Sequence, residues 1–438
     1  MGENLVRNIV SRDESIVVWN RSLDKVDALV TEVGAPVTKA ESISDLVKKI
    51  ETPRNIILLV PAGKVTDDVA HELFWILSPG DAIWDLGNAH WDTTLAHQGE
   101  ALKHGIHWVG CGISGGSEGA RHGPSLMPGG EEESVRRMLP LLEKIAAKDF
   151  SGKPCVTYVG KAAAGNFVKM VHNGIEYAIM QGIAEIYDIL RSTNIPQSDI
   201  QNIFKELNTG LLKSFLLDIS VDILGVKDPL NWSDDLLPKI SDRAGSKGTG
   251  GWTVEAALKL GVPVPTIAES LFARWLSGRN EKANLPIKIT LEWKPQNTVL
   301  LKQALKTTYL ASYLQGIELI LVAEKEWSWG INIQEVLRIW QGGCIIRSEM
   351  LRALPDFYKI WAAPDTESTD IQALLMETKE LLNNSTTPTS VLSSSYNYMM
   401  TRTSEKLPTN LIQAMRDSFW AHGVKRIGSD ISESFQWK

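Results

Sequence analysis

The first third of the chain alternates short runs of β-branched and aromatic residues with amphipathic stretches. In Asp24–Val30, for example, apolar residues recur every three or four positions, which indicates a helix. Strands separated by helices are typical of a parallel α/β sheet. The predicted strands are Ser15–Trp19, Asn55–Val60, Ala82–Leu86, His107–Gly110 and Val156–Val159.

One strand of such a sheet is missing from the pattern. The sequence opens on a helical stretch, Glu3–Val10, and the first predicted strand follows it. A doubly wound domain has a strand and a glycine turn ahead of its first helix. We therefore expect an N-terminal domain that lacks its own first strand.

The larger part of the chain is predicted to be all-helical. Long stretches of 3.6-residue period dominate from about residue 166 onward, and β-rich runs disappear. These stretches are Asn166–Arg191, Val254–Ser277, Thr298–Glu324, Gln334–Arg352, Ile371–Asn383 and Thr409–Ala421. We interpret the Ser/Thr-rich Ser385–Ser395 as a surface connection and Gly423–Lys438 as an irregular tail. The predicted domains are residues 1–163, 164–421 and 422–438.

Two of the long helical stretches share a short motif. Met180-Gln181-Gly182-Ile183-Ala184-Glu185 resembles Leu314-Gln315-Gly316-Ile317-Glu318, and each copy lies late in its helix. Chance produces matches of this length. The alternative is a duplicated helical unit, which would offer an internal comparison.

Composition excludes several classes of protein. The 438 residues, 43% hydrophobic and 22% charged, are typical of a globular protein of two or three domains and exclude fibrous and disordered classes. The net charge of −7 argues against nucleic acid binding but allows a local basic pocket for a small anion. The three cysteines form neither a disulfide framework nor a metal-type spacing. With no apolar run near the roughly 18 residues of a membrane span, we expect a cytoplasmic protein.

Four polar residues of Asn166–Arg191 share one helical face. They are Lys169, His172, Asn173 and Glu176. Their spacing of i, i+3, i+4 and i+7 aligns a base, an acid and two hydrogen-bonding groups. On spacing alone, a solvated strip with a Lys–Glu pair is the commoner explanation. The corresponding positions in the second copy of the motif are Gln303, Lys306, Thr307 and Leu310, so the helix itself does not need the set, and we favour a functional strip.

A glycine-rich stretch follows the predicted strand His107–Gly110. It runs from Gly110 to Arg121 and continues to Gly129-Gly130. Glycine at this density lets backbone N–H groups approach an anionic ligand closely. A mobile loop with tight turns is the alternative.

Arg21 lies where a dinucleotide-binding domain selects its cofactor. It follows the first predicted strand, roughly 20 residues beyond the position of the glycine turn. An acidic residue there would accept the 2′-hydroxyl of NAD, whereas Arg21 suits the 2′-phosphate of NADP. An ordinary surface arginine is the alternative, and the same holds for the further basic residues Lys247, Arg274, Arg416 and His422 taken singly.

Together these stretches resemble the 6-phosphogluconate dehydrogenase family over nearly the whole chain. The motifs that carry the resemblance are Asn-Arg-Ser at 20–22, Leu-Gly-Asn at 86–88, the glycine-rich stretch at 112–130, Phe-Val-Lys-Met-Val-His-Asn-Gly-Ile-Glu-Tyr at 167–177, Lys-Gly-Thr-Gly at 247–250, Gly-Gly-Cys-Ile-Ile-Arg-Ser at 342–348 and the segment with Arg416 and His422. The resemblance implies an α/β plus all-α fold. Its parts would be an NADP-binding Rossmann-like domain, an all-helical substrate and dimerisation domain, and a C-terminal tail.

The resemblance also implies a reaction and its residues. The reaction is the oxidative decarboxylation of 6-phosphogluconate to ribulose 5-phosphate and CO₂ with reduction of NADP⁺. Lys169 would be the general base toward the 3-hydroxyl, and Glu176 would protonate C1 of the enediol. No metal would be needed, because the ketone formed by oxidation is the electron sink.

Binding residues and a partner chain follow from the same resemblance. The implied substrate set is Asn88, Ser114, Gly115, Gly116, His172, Asn173, Tyr177, Lys247, Arg274, Arg416 and His422. The implied cofactor set is Gly2, Asn20, Arg21, Ser22, Val60, Lys64 and Asn88. Arg416 and His422 would come from the partner subunit of a homodimer.

The chain departs from the family pattern near its start. Of the family's opening strand and Gly-x-Ala-x-Met-Gly turn, Met1-Gly2 stand here. Pro61 replaces a frequent lysine, with Lys64 three residues away, and Ala96-His97 stand where many members carry two arginines. Two alternatives stay open: an inactive or weakly active homologue with impaired NADP binding, and a non-catalytic dimeric helical scaffold.

Overall fold

The structure is a computed structural model that describes residues 1–246, 248–279, 297–355 and 369–437. An α/β part comes first in the chain and a helical part follows, as the hydrophobic pattern predicts. Within these ranges, no helix is long and apolar enough to cross a membrane.

The α/β part has its strands in two separate sheets. A parallel pair joins β1 (Ile16–Val18) to β2 (Val37–Lys39). The larger sheet has the order β3 (Asn55–Leu58), β4 (Ala82–Asp85), β5 (His107–Ser114) and β6 (Ser125–Gly129), with β6 antiparallel to β5. The helices of this part are α1 (Gly2–Val10), α2 (Leu23–Val33), α3 (Ile43–Lys48), α4 (Lys64–Ile76), α5 (Trp91–Lys103), α6 (Gly116–His122) and α7 (Glu132–Ile145).

The break between the sheets lies where the first strand of a doubly wound domain would pair. In the order 3-2-1-4-5-6, that strand separates the strands corresponding here to β1 and β3. β1 pairs with β2, and β3 pairs with β4, so each has one edge without a ladder partner in the described structure. Trp19, directly after β1, packs against the apolar cluster that contains Ile56 and Leu58 of β3. The missing strand stays a prediction.

The strands differ from the prediction in four places. β5 continues to Ser114 because β6 pairs with residues 110–114. The pattern predicts neither β2, which has three residues, nor β6, which contains Pro128 and Gly129, residues disfavoured in strands. The predicted strand Val156–Val159 is wrong, because Val156 forms a single bridge with Leu126 in place of a ladder.

The helical part surrounds two long central helices, α8 and α13, which share one apolar core. Its helices are α8 (Ala164–Ser192), α9 (Gln197–Leu207), α10 (Phe215–Leu224), α11 (Thr249–Leu260), α12 (Pro265–Ser277), α13 (Asn297–Trp327), α14 (Ile333–Ile339), α15 (Thr369–Asn384), α16 (Ser390–Thr403) and α17 (Thr409–Trp420). Two hairpins are added, β7 (Lys227–Asp228) with β8 (Asn231–Asp235), and β9 (Val424–Lys425) with β10 (Ser432–Glu433). The predictions that strands disappear after residue 166 and that the end of the chain is irregular are therefore wrong.

Two predicted helices are shorter in the structure. Val254–Ser277 is divided into α11 and α12, because Gly261 adopts a left-handed conformation and prolines follow at 263 and 265. The helix predicted over Gln334–Arg352 stops with α14, ahead of Gly342-Gly343.

The predicted surface connection Ser385–Ser395 is wrong from Ser390 onward. α16 begins there, and Val391 and Leu392 are buried in the core. Serine and threonine favour caps and turns, so the local propensity of this segment predicts a connection and not a helix.

The shared motif marks the contact between α8 and α13. A Cβ at Gly182 of α8 would lie 2.8 Å from Thr308 of α13, and one at Gly316 of α13 would lie 2.5 Å from Ile175 of α8. The equivalent glycine of each copy thus meets the other helix. This reciprocal packing favours a duplicated helical unit over a chance match.

The first turn of α8 lies directly on the larger sheet. A Cβ at Gly165 would overlap the carbonyl oxygens of Gly110 and Met127 and would lie 2.7 Å from the backbone nitrogen of Gly129. These are backbone atoms of β5 and β6, so they cannot shift independently. Gly165 therefore sets how closely α8 approaches the sheet.

Gly165→Ala should lower the free energy of unfolding by about 1–3 kcal/mol, because the new methyl group overpacks against two strands. Gly99→Ala is the matched control, since nothing lies within 4 Å of a Cβ at Gly99 in α5. Helix propensity alone should stabilise that variant by up to about 1 kcal/mol. Chemical denaturation measures both, and equal shifts in the two variants would contradict the close contact.

Candidate active site

The four-residue strip of α8 is buried, which excludes the solvated strip. The exposed fractions of Lys169, His172 and Asn173 are 7%, 0% and 8%, and the side chain of Glu176 is 21% exposed. Lys169 lies against β5, where a Cβ at Gly112 would be 2.8 Å from its Cγ. Gly112 therefore makes room for the lysine, a packing role beyond the predicted anion nest.

Hydrogen bonds join the strip into one network. Lys169 Nζ donates to Asn173 Oδ1, and His172 Nδ1 lies 3.1 Å from the same oxygen. Because an amide oxygen accepts, His172 Nδ1 carries the proton and Nε2 accepts from Ser114 Oγ at 3.2 Å. Ser114 Oγ in turn accepts from the backbone nitrogen of Ile345 at 3.4 Å. The network fixes the positions of the base, the imidazole and the start of the glycine turn.

Burial shifts the ionisation of the base and the acid in opposite directions. Burial lowers the pKa of Lys169, and the nearby Glu176 and Cys344 oppose that effect. Burial raises the pKa of Glu176, while Lys169 and Arg274 pull it back. The pKa of His172 falls well below its usual value through burial and the charge of Lys169. A lysine poised to be neutral and a carboxyl poised to hold a proton are suited to general base and acid chemistry.

One end of the strip is a cationic and aromatic surface. The guanidinium of Arg274 stacks on the ring of Tyr177 at 3.5 Å and donates to the carbonyl of Gly245 at 3.2 Å. The hydroxyl of Tyr177 lies 3.2 Å from Ser246 Oγ. Lys247, the next residue of this segment, lies outside the described residues.

The predicted glycine turn lies at the other end of the strip. Gly115 and Gly116 have φ values of +122° and +65° between β5 and α6, which only glycine adopts readily. A Cβ at Gly115 would overlap the carbonyl oxygen of Gly343. The segment around Gly343 and the ring of Trp340, 5.8 Å from that of His172, are thus parts of the site that the sequence analysis missed. The glycine doublet at 342–343 was the available signal.

The predicted cofactor residues other than Gly2 follow the carboxyl ends of strands. Gly2 begins α1, and a Cβ added to it would lie 3.9 Å from the side chain of Leu59. Gly87 approaches the carbonyl of Val60. Asn88 follows the end of β4 and is exposed. Asn20, Arg21 and Ser22 follow β1, and Lys64 begins α4, where it pairs with Asp68 at 3.0 Å.

These residues fit a dinucleotide. The open N-terminus of α1 offers unpaired N–H groups to a pyrophosphate, and Arg21 is exposed for a 2′-phosphate. His97 is less suited to a phosphate, because its Nε2 is 3.0 Å from Asp67 Oδ1 and its ring lies 4.4 Å from that of Trp108.

Two predicted phosphate ligands are not placed with the others within this chain. Arg416 lies on α17, where it donates to Gln413 of the same helix. His422 follows α17, and both side chains are exposed.

A largely parallel α/β part joined to a helical part, with a buried lysine and a carboxyl of raised pKa where they meet, is typical of a nicotinamide-dependent dehydrogenase. A family model described as the NAD binding domain of 6-phosphogluconate dehydrogenase matches residues 1–160. The model of the C-terminal domain of 6-phosphogluconate dehydrogenase matches residues 165–437. The chain belongs to the 6-phosphogluconate dehydrogenase family.

Relatives match along their whole length. The chain is 39% identical to decarboxylating 6-phosphogluconate dehydrogenase 1 of Oryza sativa subsp. japonica, over 100% of this chain and 95% of the relative. It is 38% identical to the NADP(+)-dependent, decarboxylating 6-phosphogluconate dehydrogenase of Bacillus subtilis (strain 168), over 100% and 97%. The structure of Plasmodium falciparum 6-phosphogluconate dehydrogenase, solved in its apo form, with its cofactor NADP⁺ and with its substrate 6-phosphogluconate, superposes with a TM-score of 0.89 at 33% identity, covering 100% and 98%.

Glu176→Gln should lower the pKa of Lys169 further, because the Glu176 carboxylate opposes the effect of burial. The titration of the lysine Nζ, followed by NMR, should move to lower pH. Asp188→Asn on the same helix is the control, because Asp188 pairs with Arg191 at the far end of α8. A pKa of Lys169 that stays the same or rises in Glu176→Gln would contradict the coupling.

Proposed function

We propose that this chain catalyses the NADP-dependent oxidative decarboxylation of 6-phosphogluconate to ribulose 5-phosphate and CO₂. The observation that carries the proposal is the buried Lys169, aligned with Glu176 on a helix that lies on the sheet of the dinucleotide-binding domain. Bound NADP⁺ supplies the hydride acceptor.

Lys169 is the general base of the first step. A lysine accepts a proton only in its neutral form, and burial favours that form by lowering its pKa. The hydrogen bond to Asn173 holds Nζ in place. Neutral Lys169 takes the proton of the substrate 3-hydroxyl as C3 is oxidised, and the resulting ammonium stabilises negative charge on the C3 oxygen during loss of CO₂.

Glu176 is the acid of the last step. Its raised pKa favours a carboxyl that holds a proton, and it gives this proton to C1 of the enediolate left by loss of CO₂, which becomes the ketone product. The charge of Lys169 lowers the pKa of Glu176, so the carboxyl becomes more acidic while the lysine is protonated.

The remaining predicted residues bind the two charged ends of the substrate. Ser114, Gly115 and Gly116 hold the carboxylate end, and Tyr177, Lys247 and Arg274 hold the phosphate end. Asn88, His172 and Asn173 bind the hydroxyl groups between them. NADP is held by Gly2, Asn20, Arg21, Ser22, Val60, Lys64 and Asn88.

A homodimer completes the phosphate end. Residues 404–437, named here the C-terminal arm, contain α17 and the hairpin β9–β10. Within the arm, Asp417 accepts hydrogen bonds from the backbone of Gly423 and Phe435 and from Trp437 Nε1. The exposed fractions of Phe419 and Trp420 are 62% and 73%. An ordered segment that exposes large apolar side chains favours binding to another chain, and we propose that a second copy receives Arg416 and His422 from it.

Lys169→Met should reduce NADPH formation by at least about 10³-fold, because the base is lost while the shape of the side chain is kept. Lys161→Met, which removes an exposed lysine just ahead of α8, should retain wild-type rates. Absorbance of NADPH measures both. Substantial turnover by a folded Lys169→Met protein would overturn the assigned base.

Mixed dimers test the shared site. Arg416→Ala and Lys169→Met chains should each be nearly inactive with physiological substrate concentrations. A dimer with one chain of each kind keeps one intact site, which combines Lys169 of the first chain with Arg416 of the second. Co-expression with two affinity tags should therefore restore activity, and no recovery in isolated mixed dimers would contradict the shared site.

A further inference from the structure

The helix α16 takes its N-terminal cap from the catalytic helix. Its own N-cap residue, Thr389, makes no capping hydrogen bond through its side chain. The buried carboxylate of Glu185 on α8 accepts from the backbone nitrogens of Val391 and Leu392, at 2.9 Å each. Gln181 donates to the same carboxylate at 3.2 Å. Two of the unpaired N–H groups at the start of α16 are thus satisfied by a residue more than 200 positions away.

The other copy of the motif makes the same kind of cap. The N-cap of α12, Val264, also lacks a capping side chain. Gln315 on α13 accepts from the backbone nitrogens of Thr266 and Ile267, at 3.1 and 3.3 Å. Each central helix therefore caps one helix, and in both cases the second and third residues of the capped helix donate.

Each capped helix leads to a cation assigned to the phosphate end. α12 carries Arg274, which stacks on Tyr177. α16 runs into the C-terminal arm, which carries Arg416 and His422. α12 and α16 also pack against each other. The two caps thus fix the first turns of α12 and α16. These helices lead to the cations that the proposed function brings together around one phosphate.

A carboxylate at position 185 is not needed for capping alone. Gln315, which corresponds in the shared motif to Gln181 and not to Glu185, shows that a neutral amide can cap a helix in the same way. Burial raises the pKa of Glu185 to about 7, although two backbone N–H groups favour its charged form. Burying an ionised carboxylate here costs desolvation free energy. In return, the carboxylate supplies one acceptor oxygen for each of two N–H groups.

We propose that Glu185 is a positioning residue for the phosphate end of the partner's active site. By capping α16, it sets the direction in which the C-terminal arm leaves its own subunit and hence where Arg416 and His422 meet the substrate of the other subunit. This inference rests on the proposed function, including the homodimer.

Glu185→Ala should raise the KM for 6-phosphogluconate about tenfold and leave kcat within about twofold, because binding of the phosphate is impaired while the reacting groups are intact. The inhibition constant of gluconate, the same sugar acid without a phosphate, should not change. Glu185→Gln keeps one acceptor oxygen and should show a smaller shift in the same direction. Asp188→Ala, which removes a carboxylate from the same helix but no cap, should behave like the wild type.

Mixed dimers distinguish this role from local damage to α8. In a dimer with one Lys169→Met chain, the active site belongs to the other chain and receives the arm of the Lys169→Met chain. Glu185→Ala placed on the Lys169→Met chain should raise the KM, and placed on the active chain it should not. A raised KM that follows the active chain, or a gluconate constant that rises equally, would overturn the proposal. Failure of the proposed function would instead show in mixed dimers with intact Glu185, which would then lack turnover altogether.

Discussion

Lys169 loses nearly all of its hydration because α8 lies directly on the sheet, and this contact controls the rest of the site. Gly165 and Gly112 leave room for it, one on the helix and one on β5. The dinucleotide-binding domain and the helical domain thereby approach each other closely at the start of α8. The resulting burial lowers the pKa of Lys169, since removing water disfavours its charge.

A buried lysine would destabilise the fold if its neighbours did not complete its hydrogen bonds and charge. Asn173 accepts from it, and Glu176 offers an opposite charge that is itself held back by burial. His172 is kept neutral and bonded on both ring nitrogens. The charges of the strip therefore compensate each other while the ionisation of each group is opposed by burial. Lys169 and Glu176 are in this way suited to exchange protons with a substrate.

The spacing of the strip could be predicted from the sequence, because four polar residues at helical intervals necessarily share a face. Its burial could not, because burial depends on β5 and on the segment around Gly343. Long-range pairing also explains the other differences. β6 is a strand because β5 pairs with it, and α16 packs Val391 and Leu392 in the core while Glu185 caps its first turn from another helix. Local propensity carries no information on such partners. The proposed placement of Arg416 and His422 in a partner's site would likewise depend on a pairing of two chains, which no local pattern of residues encodes.

The two helices that share the short motif differ in what packs against their corresponding faces. In α13, the positions that correspond to Asn173 and Glu176 are Thr307 and Leu310. Thr307 is buried and lies 2.8 Å from Thr378 of α15, and Leu310 packs in the core. The corresponding face of α8 meets the glycine turn after β5 in place of a helix. The glycine turn leaves space for a ligand beside α8, whereas α15 packs directly on α13. The face of α8 is therefore polar, and the face of α13 is complementary to α15. The same close contact between α8 and α13, made by Gly182 and Gly316, serves both.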